Sequence, residues 1–175
     1  SITQSGAGGL TLTSGATNLS ITTNADLTNA ATLGGTGGIT KTGAGVLTQN
    51  APIATTGTIA VNAGTINLNA ASAAAASWVV NANLNPGAAF TATNLTGTTG
   101  AISTGANPIT LTGTTSSYSG TLAGAGQLNY NPGSAALLVL GGNNVGYSGN
   151  IVGNANARLA ITNPNGFGTG SVDVS

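Results

Sequence analysis

The chain has 175 residues and zero formal charge, carried by two basic side chains, Lys41 and Arg158, and two acidic ones, Asp26 and Asp173. Charged residues make up 2% of it, where an ordinary domain has about 25%, and His, Cys, Met and Glu are missing altogether. Without imidazoles, thiolates or close carboxylate pairs we expect no enzyme, no catalytic residue, no cofactor and no metal, and two cations are too few for a nucleic-acid surface.

In chain order, apolar residues alternate with Thr, Ser or Asn at residues 10–13 (LTLT), 18–22 (NLSIT), 58–70 (TIAVNAGTINLNA), 108–112 (PITLT), 159–162 (LAIT) and 171–175 (SVDVS). A period of two predicts strands with one buried face. Gly, Asn and Pro gather between these runs, where turns need a positive or a fixed φ. Within residues 70–80, AASAAAASWVV, residues 70–77 break the alternation and carry the chain's only helical propensity. Residues 70–80 are expected as an irregular Ala-rich insert in a single domain spanning residues 1–175. This longest apolar run falls well short of the ~20 residues a membrane helix needs, so the chain is expected not to span a membrane. Ser1 opens no leader-type segment, which reads as a mature or excised chain.

Short strands with regular turns suit a sandwich, a barrel or a solenoid. Trp78, Phe90, Phe167, Tyr118, Tyr130 and Tyr147 are the only aromatics, few for a sandwich or barrel core. A solenoid instead stacks each coil's aliphatic residues about 4.8 Å from the next, with Asn and Thr ladders satisfying its corners. The segments LTGTTSSYSG (111–120) and LGGNNVGYSG (140–149) point the same way, because they set Tyr118 and Tyr147 29 residues apart. The predicted fold is all-β, a parallel β-helix or β-solenoid with coils of roughly 20–30 residues. Tyr118 and Tyr147 are expected to stack on one aromatic corner or to form a patch for a carbohydrate ligand.

Residues 34–69, GGTGGITKTGAGVLTQNAPIATTGTIAVNAGTINLN, resemble the autotransporter-associated β-strand repeat of bacterial autotransporter passengers. Gly38, Lys41, Gly43, Gly45, Leu47, Gly57, Val61, Gly64 and Ile66 fall on that family's pattern, and residues 163–175 resemble the Asn-x-x-Gly-x-Gly-x-Val turn of such passengers. The resemblance implies a parallel β-helix and secretion by a bacterium, hence an extracellular or cell-surface protein. The Thr55 position and the Ala-rich stretch depart from the pattern.

A solenoid leaves strand edges at its tips unless they are covered, and neither end carries lysines or an amphipathic helix. Either the chain belongs to a longer passenger, or one copy's last coil accepts the next copy's first. The second reading, a homopolymer joined head to tail into an extracellular filament or surface fibre, is the expected function, with Ser1, Ile2, Thr3, Val172, Asp173 and Val174 as the subunit interface. The alternative is a passenger-type adhesin or surface scaffold. Ice binding is a lesser reading, drawn from the Thr-x-Thr pairs at 11/13, 40/42, 91/93 and 110/112. A buried Lys41 or Arg158 is expected to find a carboxylate, with Arg158–Asp173 as the candidate pair.

Overall fold

The computed structural model describes residues 2–3, 12–14, 18–72 and 76–175. Among these residues lie 23 short strands, and every strand pairing is parallel. The chain winds about eight turns of a three-sided β-solenoid. The first face is a sheet of nine strands running from Ile2–Thr3 to Ala157–Ile161, which at about 4.8 Å per strand extends roughly 38 Å. The second face carries six strands, from Leu27–Asn29 to Thr121–Ala123. By chain order the third face holds three strands ending at Ile53–Thr55, then five from Phe90–Ala92 to Val172–Val174.

The two-residue period explains the interior. On the second face Leu27, Leu47, Ile66, Leu84, Ile102 and Leu122 pair in register from coil to coil, and all six are buried. Each such side chain contributes about 1.5–3 kcal/mol on burial. Their neighbours along the strand point outward and are Thr, Asn, Ser or Ala, with Val46 the exception, so one face of each strand is apolar and the other mostly neutral polar.

Main-chain pairing sets the spacing, and side chains mend it at the corners. Asn18, Asp26, Asn94 and Asn150 each sit one residue before a strand. Their side-chain oxygens accept the N–H of Gly38, Val46, Thr115 and Ser171, one coil further on, at 2.9–3.2 Å. Outside, Asn50 and Asn69, Asn67 and Asn85, and Asn143 and Asn165 form amide ladders at 2.8–2.9 Å. The ladders expected from composition are present.

The coil step runs from 17 residues, Trp78 to Leu95, to 23, Leu128 to Ile151, and clusters at the lower end of the predicted 20–30. The 29-residue spacing of the two Tyr-Ser-Gly segments is therefore a coil and about one side. It carries Tyr118, on the first face, to Tyr147, which bridges Gly124 on the second. These tyrosines do not share a corner, and the apparent repeat compares different sides of the solenoid.

On either side of residues 73–75, which lie outside the described residues, residues 69–72 and 76–77 form no strand, and Ser72 takes part in the pairing to the next coil through its side chain. Its Oγ accepts the Thr91 N–H at 3.0 Å and donates to Thr91 O at 2.9 Å, while Ala76 O accepts the Thr93 N–H at 2.9 Å. One hydroxyl thus does the work of a peptide unit. Trp78–Val80 is an ordinary first-face strand. The buried rings of Trp78 and Phe90 meet edge to face, 5.0 Å apart at 74°.

Close stacking dictates where glycine is required. Gly64 has φ +69°, and a Cβ there would run into Gly43 O, Gly45 O and Lys41 Nζ. At Gly133 a Cβ meets nothing within 4 Å. Gly64→Ala should therefore destabilise the fold by at least about 2 kcal/mol, whereas Gly133→Ala should stay within about 0.5 kcal/mol of the parent. Urea unfolding of both variants measures the difference.

Candidate functional site

The terminal coil is the part of the surface that differs most from the rest. Leu137, Val145, Ile161, Val172 and Val174 are the exposed large aliphatic residues among the described positions, and the last three belong to this coil. Ile161 stands over Leu140, Val172 over Ile151 and Val174 over Gly153. These are interior positions of the stack. Ile151 and Leu140 are covered, while Val172 and Val174 remain 42% and 46% exposed. The strands Ala157–Ile161 and Val172–Val174 are the last of their sheets among the described residues, each paired along one edge. Around the second face, residues 164–169 of this coil form turns.

Of the six residues expected at a subunit contact, Val172 and Val174 belong to this apolar tip, and Asp173 points outward from the third face beside Val152. Ile2 and Thr3 pair with Ile21 and Thr22 at the opposite end of the nine-stranded sheet. Ser1 lies outside the described residues. Arg158 is exposed on the first face and Asp173 on the third, so the expected Arg158–Asp173 pair is not made within this chain.

The tyrosines are interior residues. Tyr118, Tyr130 and Tyr147 are all fully buried, and each is the register partner of a glycine in a neighbouring coil: Gly97, Gly153 and Gly124. A ring needs more room than the spacing of coils allows, and a partner without a side chain supplies it. At Gly97 an added Cβ would stand 3.1 Å from the Tyr118 ring. Trp78 is likewise buried. These rings offer no face to a sugar, which corrects the expectation of an aromatic carbohydrate patch. The pairing of Tyr with Gly was hidden because the correct step separates them by 21–23 residues, not 29.

The threonine pairs do not form one file. Ser20 and Thr22 stack on Thr40 and Thr42 on the first face, and Ala60 follows. Thr91 stacks on Thr110 on the third face, and Asn129 follows. Thr11 lies outside the described residues.

Lys41 is the least expected feature. It is an inward residue of the strand Ile39–Thr42, fully buried, with Ile21 and Val61 as its register neighbours. Its ammonium donates to Thr42 O at 3.0 Å and Gly43 O at 2.9 Å in its own corner, and to Ala63 O at 2.9 Å in the next coil. The anticipated carboxylate partner is replaced by three main-chain dipoles, while exposed Asp26 serves the Val46 N–H. Hydrogen bonds from a charged donor, worth about 1.5–3 kcal/mol each, offset a desolvation penalty of several kcal/mol. Burial holds the Lys41 pKa below its ordinary 10.5. The sequence signal was the spacing Lys41-x-Gly43, with Gly64 a coil later, which clears room for the ammonium.

No pocket opens and no cluster of three metal-ligating side chains occurs among the described residues. No helix among them is long and apolar enough to cross a membrane. Comparison with protein-family models, curated proteins and solved structures returns no match.

Burial also pushes the phenols up: Tyr147 to about 12, with Tyr118 and Tyr130 likewise raised from 10.0. A group whose folded pKa is raised stabilises the fold below its unfolded value and loses that contribution as pH climbs through the folded one. Lys41 acts oppositely, since stability rises as pH approaches 10.5 from below. Three tyrosines outweigh one lysine, so the fold should lose stability steeply above pH 10. Phenolate absorbance should appear together with loss of the β circular-dichroism signal, not ahead of it, when both are followed in one alkaline titration.

Proposed function

We infer that this chain is a structural subunit of a bacterial extracellular filament or surface fibre, in which the terminal coil of one copy pairs with the first coil of the next. The observation that carries this reading is the match between the two tips. One tip presents the first-face strand Ala157–Ile161 and the third-face strand Val172–Val174. The other presents strands on the same two faces, Ile2–Thr3 and Leu12–Ser14. A second copy placed in register would continue both sheets in parallel, cover Ile161, Val172 and Val174, and meet almost no charge. The contact is heterologous, and such a contact extends into a fibre unless its rotation closes a ring. The reading assigns the chain no catalysis, cofactor or metal.

A passenger-type adhesin or scaffold is the second reading, with the next coil supplied by the same polypeptide. The observation favouring it is that Lys41, Gly43, Gly45 and Gly64, which carry the autotransporter-repeat resemblance, meet at one corner and bind two coils together.

Electron microscopy and sedimentation across a concentration series test the first reading. The chain should elongate into rods many times longer than about 40 Å, and the double variant Val172→Lys/Val174→Lys should stay as single rods with unchanged circular dichroism. Parent rods that never lengthen at the highest soluble concentration would overturn it.

A further inference from the structure

We propose that the corner formed by Thr42, Gly43 and Ala63 is a cation-binding cage, occupied by the protein's own Lys41 ammonium and able to take a free ammonium-type ion when that side chain is shortened. Three carbonyl oxygens from two successive coils converge on one point at 2.9–3.0 Å, the distance of a charge-assisted hydrogen bond. Convergent carbonyl dipoles replace the hydration shell of a monovalent cation without any anion. The cage is built into the backbone. Gly43 and Gly64 hold positive φ, 79° and 69°, and side chains there would strike the main chain of the neighbouring coil. Thr42 O also accepts the Thr23 N–H, so three consecutive coils converge here.

The apolar stem of Lys41 leads out of an aliphatic file, with Ile21 before it and Val61 and then Val80 after it. Every other member of that run is uncharged, and an aliphatic residue at 41 would continue the file without strain. The lysine is therefore matched to the cage, not to the interior. Its charge is held by oxygen atoms of both the coil it belongs to and the one that follows, which makes the cation a tie between coils. A free ion of the same class has the same donors to offer once the stem is removed.

The test compares urea midpoints of Lys41→Ala in ammonium, methylammonium and sodium chloride at equal ionic strength. A ligand that binds only the folded state raises the midpoint with its concentration. Lys41→Ala should be more stable in ammonium and methylammonium than in sodium, with a saturable dependence. The parent, whose cage is filled by its own ammonium, should show no such difference. Equal midpoints for Lys41→Ala in all three salts would overturn the proposal. If Lys41→Ala does not fold in sodium, folding restored by ammonium supports the proposal and failure in every salt counts against it. The unaltered chain gives an independent reading: its Lys41 should resist an amine-reactive acylating agent until the fold is unfolded by urea. Modification of the folded chain at the rate of a free amine would refute an occupied cage.

Discussion

The structure depends on parallel main-chain pairing between one coil and the next. Once strands are held about 4.8 Å apart on three sides, every inward residue lies directly against its counterparts above and below. Side chains of like size stack well, which is why leucine and isoleucine fill the second-face file. Large or charged ones need an accommodation in the adjacent coil. Glycine opposite each tyrosine and a carbonyl cage around the lysine are two such accommodations.

The same pairing explains a surface with so little charge. Outward residues also stack, and identical charges at one coil's spacing would repel one another along the whole rod. Amides and hydroxyls do the reverse. An asparagine above an asparagine donates its amide to the other's oxygen, as Asn85 does to Asn67. Neutral polar composition is thus a requirement of the architecture before it is a statement about partners.

Much of this was legible. Alternating Thr and Ile or Leu revealed strands, and the glycine and asparagine clusters revealed corners, because both follow from local chemistry. The 29-residue Tyr-Ser-Gly spacing is not one coil because that tripeptide recurs on two different sides of the solenoid, and one sequence does not say which side a segment occupies. The part Ser72 plays was not legible, because its hydroxyl takes over a backbone role that leaves no trace in hydrophobic alternation. The partners of Lys41 were missed for a related reason. Main-chain carbonyls are present at every residue, and only the fold aims three of them at one point. The strand Val172–Val174 was legible from its alternation, whereas the interior position of Ile161 required the register of the first face.

The asparagines and the aspartate that precede strands have a consequence for the rod as an object. Their oxygens always reach toward the coil that follows, never the one before. At these four corners the stack is vectorial, with each side-chain oxygen turned to the coil that follows, while main-chain donors and acceptors alternate along both edges of every strand. These corners distinguish front from back, so a coil laid against them is oriented by where its own amide hydrogens fall.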